Sequence, residues 1–276
     1  MKSITSRDNP RYKELKQLAS SASARRKTAT TLLDGIHLCQ SYLEHVGQPV
    51  SCVLSESALG HPEVQPVVAQ CEDAGADCLV LSDALYAGLS QVEHGVGILF
   101  VARVPQPPRP ARLDGDAVLL DGLQDPGNLG SILRSAAAAG IEHVYCGRGT
   151  AAAWSPKVLR AGMGAQFLLR IHEDVELEPL IANARVPVLA TSSHAAQQIY
   201  DADLTRPVAW LFGNEGRGVA PHLLAQAALQ IGIPQPGPIE SLNVAASAAV
   251  CLFEQVRQRL RDTPTRAPDR PRPARR

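Results

Sequence analysis

Three short segments gather residue types that can do chemistry. They are LLDGLQDPGNLGSILRSAAAAG (119–140), WLFGNEGRGV (210–219) and IGIPQPGPIESLNVAASAAV (231–250). Each puts Gly, Asn, Ser, Glu or Arg directly after an apolar run, and an open α/β sheet binds its ligands just outside the carboxyl ends of its strands. In the first, Asp-Pro-Gly-Asn and Gly130 hold backbone close to a neighbour, and the helix that follows carries Arg134 one or two turns in. An Asn amide can orient a hydroxyl, and an Arg fork can bind an anion without ever giving up its proton. In the second, GNEGRG (213–218) sets Glu215 between glycines, although the same residues would make a plain strand-exit turn. In the third, Glu240, Ser241 and Asn243 stand at a helix start. Ser241 is there a credible N-cap, which is a role that needs no chemistry.

The commoner signatures are missing. There is no GxGxxG after the first strand and no GxxxxGK[ST], and GNEGRG has its glycines in the wrong order for a dinucleotide turn. No spacing suggests Ser–His–Asp or Cys–His catalysis. The six cysteines (39, 52, 71, 78, 146, 251) form no C-x-x-C pair and have no histidine at zinc spacing, so they read as free thiols and no metal is expected. No run of about 18 apolar residues is present, and MKSITSRDNPRYKELKQL lacks the apolar stretch of a secretory signal, which together imply a cytoplasmic protein.

The elements that must position the three segments follow from periodicity. AVLLDG (117–122), HVYCG (143–147), VPVLATSS (186–193) and PVAWLFG (207–213) read as buried strands. NLGSILRSAAAAG (128–140) reads as a helix closed by Gly140, and LNVAASAAVCLFEQVRQRL (242–260) as a long last helix with Val244, Ala248, Cys251 and Val256 near one face. Apolar strands alternating with helices imply a largely parallel α/β sheet. Upstream, residues 9–28 read as one basic amphipathic helix with Tyr12, Leu15 and Leu18 on its apolar side. TLLDG, VSCVLSE, DCLVLS and VGILFVARV then read as strands of a smaller α/β unit, with a helix after TLLDG in the rest of 31–46 (Leu38, Tyr42 and Val46 on one face) and another at 61–75. Four prolines in residues 105–115 exclude helix and central strand, so this stretch is a linker. The expected division is therefore 1–104, linker 105–115, 116–261, and an Arg/Pro-rich tail 262–276 that reads as disordered.

Charge is uneven. Lys+Arg and Asp+Glu are 27 each, yet residues 1–30 carry eight basic side chains against Asp8 and Glu14, and residues 261–276 carry six Arg against Asp262 and Asp269. Basic ends on a neutral chain point to an anionic partner, and the basic N-terminal stretch suits RNA, with Arg7, Lys13, Arg25 and Arg26 as candidate contacts.

The joint order of the three segments resembles the SpoU (TrmH-like) branch of the SPOUT superfamily, RNA ribose 2′-O-methyltransferases that use S-adenosylmethionine. The motifs D-x-x-x-D-P-x-N-x-G-x-x-x-R, L-[FG]-G-x-E-G-x-G and I-P-x-x-G-x-x-x-S-L-N-V all occur, within 121–249. SRDNPRYKELKQL followed by LLDGIHL is similar to the family's L30e-like substrate-binding domain, with Asp34 where Glu is more usual. The resemblance implies a SPOUT-type trefoil-knotted, mostly parallel sheet with helices on both faces, and a homodimer. By matching positions it implies catalytic Asn128, Arg134, Glu215, Ser241 and Asn243, and cofactor-contacting Leu211, Gly213, Gly218, Ile233 and Leu242. SPKVLRAGMGA (155–165) is similar to a basic helix beside the family's site, where Lys157 and Arg160 would hold RNA phosphates or simply form a solvated face. Gly162 departs from the Ser that is usual there.

The implied reaction moves a methyl group from a sulfonium to a ribose 2′-hydroxyl. The leaving group departs neutral, so no metal is required. Arg134 is better suited to bind phosphate and stabilise a developing oxyanion than to act as a base. Asn128, Asn243 and Ser241 would orient the ribose and Arg134, while Glu215 orders its loop or Arg134. The separate N-terminal unit favours rRNA over tRNA as substrate. A non-catalytic RNA-binding protein that keeps the fold is the alternative, and the intact site residues argue against it. A Rossmann-type small-molecule methyltransferase is excluded by the missing glycine turn.

Overall fold

The computed structural model describes residues 1–92, 94–108 and 110–262. The tail expected to be disordered lies, from residue 263 on, outside them. The first half is a five-stranded mixed sheet in the order β1-β4-β3-β5-β2. Its elements are β1 (Lys2–Ile4), α1 (Pro10–Ser20), α2 (Ala22–Thr28), β2 (Thr30–Asp34), α3 (Ile36–His45), β3 (Ser51–Ser55), α4 (Val64–Asp73), β4 (Asp77–Leu81), α5 (Asp83–Ala87) and β5 (Ile98–Arg103). The single helix expected over 9–28 is in fact two. Ser21 is extended (φ −115°, ψ 115°) and its hydroxyl accepts the Ala24 amide, so a side-chain cap starts a new helix where periodicity continues unbroken. Val46 is exposed rather than buried with Leu38 and Tyr42, because α3 ends at His45.

The second half holds β6 (Ala117–Leu120), α6 (Pro126–Ala138), β7 (His143–Gly147), α7 (Pro156–Gly162), β8 (Arg170–Val175), α8 (Leu177–Ala182), β9 (Val188–Thr191), β10 (Gln197–Gln198), β11 (Ala209–Phe212), α9 (Pro221–Leu224), β12 (Leu229–Gly232) and α10 (Val244–Asp262). Its seven strands are all parallel, in the order β10-β12-β9-β11-β6-β7-β8. The apolar runs lack alternation because both faces are covered. Val118, Leu120, Trp210 and Phe212 face a core shared with Leu129, Ile132 and Leu133 of α6 and with Ala248, Cys251 and Leu252 of α10. Leu119, Ala209 and Leu211, one residue out of step, face α8 and α9 through Leu177, Leu180 and Leu223. Strands β1, β8 and β12 carry exposed or polar residues and are not evident from apolar runs.

Chain order and spatial order disagree at one place that matters. β11 enters between β6 and β9, two strands formed earlier in the chain, and α10 then returns to pack on α6. The carboxyl ends of β6, β11 and β12 therefore share one edge, where all three polar segments emerge. The two halves join through a continuous apolar core, with Tyr42 edge-on to Phe167 at 5.4 Å and Trp154 beside Phe167 at 6.4 Å. All six cysteines are buried free thiols, and among the described residues no helix is long and apolar enough to cross a membrane.

Candidate active site

The site starts at the first turn of α6. The helix begins two residues earlier than periodicity suggests, because Asp125 accepts the Asn128 amide (2.8 Å) and Pro126 fits the first helical position. Glu215, from the loop behind β11, reaches this same end. Its carboxylate accepts the amides of Asp125 (2.9 Å) and Gln124 (3.1 Å) and the side-chain amide of Asn128 (3.2 Å). Partial burial opposes ionisation of Glu215, but these donors outweigh it and hold the carboxyl below its usual range. An anion at a helix start also meets the positive end of the helix dipole.

Asn128 continues the chain of contacts. Its Oδ1 accepts from Asn243 Nδ2 at 2.9 Å, and Asn243 Oδ1 accepts the amides of Ala245 (2.9 Å) and Ala246 (3.2 Å). Asn243 is thus the N-cap of α10, which corrects the expectation that Ser241 caps it. The cap falls at Asn243 because α10 starts at Val244, too far from Ser241 for its hydroxyl to serve the first turn. Glu215, Asn128 and Asn243 thus join the three segments, through contacts that span 87 and 115 residues.

The loop 213–218 is closed on itself by paired backbone hydrogen bonds between Asn214 and Gly218 (3.0 and 2.9 Å). Gly213 lies so close to that turn that an added Cβ would stand 2.1 Å from the Gly218 carbonyl carbon and the Val219 nitrogen. Gly218 has φ +69°, in the left-handed region. Asn214 Nδ2 donates to the Gly122 carbonyl (2.8 Å), and Asp121 accepts the Ala220 amide (2.8 Å), so the first and second motifs are tied a second time. Leu211 is fully buried at the end of β11, Ile233 is half-buried just past β12, and Ile239 and Leu242 expose apolar side chains on the loop that leads to α10.

Arg134 and Ser241 are exposed and stand apart. Among the described residues no hydrogen bond or ion pair engages Arg134, so Glu215 orders the helix start and not the arginine. Gly130, expected to allow a close approach, meets α7: a Cβ there would lie 2.4 Å from Ala161 Cβ. α7 carries Lys157, exposed, and Arg160, whose Nη1 donates to the Gln91 carbonyl at 3.0 Å. Of the N-terminal candidates, Arg25 donates to the Leu18 carbonyl (2.7 Å), Lys13 pairs with Asp8 (3.1 Å), Arg26 faces Glu173, and Arg7 is exposed. Sequence reasoning missed the roles of Asn214, Asp121 and Asp125 as anchors of these loops; an Asx at a strand end or helix start was the available signal.

Comparison with known proteins adds a second line. The SpoU rRNA Methylase family model matches residues 116–253. An uncharacterized tRNA/rRNA methyltransferase of Synechocystis is 34% identical over 265 residues, covering 93% of this chain and 94% of that protein. The 23S rRNA (guanosine(2553)-2′-O)-methyltransferase RlmP of Bacillus subtilis is 30% identical, covering 92% of this chain and 98% of its own length. The solved AdoMet-bound rRNA methyltransferase from Sinorhizobium meliloti superposes with a TM-score of 0.81 at 27% identity, covering 93% of this chain and 97% of that one.

Proposed function

The chain belongs to the SpoU rRNA methylase family and is an S-adenosylmethionine-dependent RNA methyltransferase, and from that premise we propose that it methylates a ribose 2′-hydroxyl of ribosomal RNA as a homodimer. The observation that carries the reading is the Glu215–Asn128–Asn243 chain of hydrogen bonds, which gathers the three polar segments at one sheet edge.

The residues fit S-adenosylmethionine. Gly213 packs directly on Gly218 and Val219, so the strand end offers main-chain amides and carbonyls rather than side chains; Ile233 and Leu242 supply apolar walls for a purine, and Leu211, its side chain buried against α8 and α9, contributes only main chain. When bound, it supplies an already activated methyl group on a sulfonium. The chain's own residues then have two tasks, alignment of the 2′-hydroxyl and stabilisation of its developing charge. Glu215, Asn128 and Asn243 hold the loops in register. Ser241, exposed on the loop that leads to α10, orients the ribose. Arg134 is free to bind phosphate and to stabilise the oxyanion with its fork, since a guanidinium offers donors and no acceptor.

A second copy of the chain suits the exposed side of α10. Ala246, Phe253 (47% exposed) and Leu260 (69%) repeat at helical spacing on one stripe. The order of β11 between β6 and β9 with α10 back on α6 supports the trefoil path. Lys157 and Arg7 are suited to phosphate contacts, and the place of action is the cytoplasm, where ribosomes are built.

Transfer of labelled methyl from S-adenosylmethionine to unmodified total RNA, followed by separation of rRNA from tRNA and hydrolysis, tests the reading. Label in a 2′-O-methylated nucleotide of rRNA is expected. Label confined to tRNA overturns the substrate, and no label despite cofactor binding favours the non-catalytic alternative. Phe253→Asp is expected to halve the mass in light scattering; an unchanged mass overturns the assigned dimer face.

A further inference from the structure

The contacts described so far leave unused a polar bridge between the two halves of the molecule. It begins at Asp34, the last residue of β2, which is half-buried. Its carboxylate accepts the Ser90 hydroxyl on both oxygens (2.9 and 3.1 Å) and the Gln91 amide (2.7 Å). Burial pushes this carboxyl up, and the donors only partly offset that cost. A half-buried carboxylate that accepts one hydroxyl, shared between its two oxygens, and one main-chain amide holds Ser90 and Gln91 in place.

The same loop is gripped from the other half. Arg160, in the last turn of α7, donates to the Gln91 carbonyl, so one residue is held from both sides, by Asp34 through the Gln91 amide and by Arg160 through its carbonyl. α7 in turn lies against α6 with almost no space between backbones at Gly130 and Gly162. A buried bond from Thr31 Oγ1 to the Trp154 carbonyl (2.7 Å) fastens β2 itself, the strand that ends at Asp34, to the same region. The path from Asp34 to the helix that bears Asn128 and Arg134 is therefore short and stiff.

We propose that Asp34 and Arg160 are positioning residues that act as one unit: through Ser90–Val92 they fix the N-terminal half against α7, and so fix where RNA held by that half presents its ribose to α6. In this role Arg160 is a strut between the halves and not a phosphate ligand. The inference rests on the methyl-transfer reading for its consequence, but the strut itself does not.

The test uses the full chain with Asp34→Asn, Arg160→Ala, their combination, Ser90→Ala and Lys157→Ala. Amide exchange reads the strut without activity. Arg160→Ala is expected to speed exchange in 88–92, and Asp34→Asn to speed it in 156–162, across the interface. With unmodified rRNA transcripts, each single change is expected to lower kcat/KM about tenfold and the pair no further, as for residues that share one network. RNA affinity in Arg160→Ala should keep the wild-type salt slope, whereas Lys157→Ala should lose the roughly 0.7–0.9 that one phosphate contact contributes. Losses that multiply in the double variant, exchange changes confined to the mutated side, or a reduced salt slope in Arg160→Ala would each overturn the proposal, the last in favour of a phosphate contact. Should Asp34→Asn fail to bind cofactor or melt early, Ser90→Ala, which removes one hydroxyl, decides by the same readouts with a smaller effect. If wild-type chain methylates no RNA, the functional reading fails while the exchange data still judge the strut.

Discussion

The first turn of α6 and the side of α6 that carries Arg134 belong to one helix and are treated in opposite ways. At the first turn, Asp125, Asn128, Glu215 and Asn243 are bound to one another and to main-chain amides, so their geometry exists before any ligand arrives. Two turns on, Arg134 is exposed, and no contact within the described residues holds it. Groups that only position can spend their hydrogen bonds inside the molecule. A group that must meet charge in a transition state has to keep its donors for it.

Removing the free member should cost the most activity and the least structure. Arg134→Ala is expected to lower kcat by about 10²–10³-fold, the range found when one oxyanion donor is lost, with cofactor affinity and melting temperature unchanged; both are read by calorimetry. Weakened cofactor binding there would erase the contrast between the two regions. Gly213→Ala strikes the fixed region. Its Cβ has only 2.1 Å to the Gly218–Val219 backbone, so the loop must open, and cofactor affinity measured by titration should fall by about tenfold or more as the loop loses its preorganised form.

Asn243→Ala should show both effects in smaller measure. It deletes the α10 cap, worth about 1 kcal/mol, and releases Asn128 Oδ1, so denaturant melts should report that loss together with a fall in kcat. The smallest effect is in pH dependence. The Glu215 carboxyl is held low in the folded chain, so its contribution to stability is present above the unfolded value of about 4.3. It is lost as pH falls through the lower folded value. Thermal midpoints should therefore drop less between about pH 5 and 3 in Glu215→Gln than in wild type, and equal slopes would mean that the carboxylate is not the anchor of the loop.

Much of this was legible without coordinates, for local reasons. Asp-Pro-Gly-Asn announced a helix start, although the helix begins at Pro126 because the Asp125 cap sets it there. Apolar runs marked β6, β7, β9 and β11, since strands buried on both faces need no polar positions. β1, β8 and β12 escaped because exposed or edge strands carry mixed residues whose sheet comes from pairing partners, not from their own pattern. The break at Ser21 escaped because a hydroxyl cap leaves hydrophobic periodicity untouched.

The sequence by itself determined which residues are available for chemistry: the three polar segments, their glycines, and an arginine one or two turns into a helix. Residue type and short-range spacing set these, and both are local properties. Only the tertiary structure decided their division of labour. That Glu215 binds the start of α6 and not Arg134, that Asn243 rather than Ser241 caps α10, and that Arg160 is spent on Gln91 all depend on contacts between residues 69 to 115 positions apart. Such contacts are fixed by the order in which parallel strands enter the sheet, with β11 slipping between β6 and β9, and no local pattern encodes that order.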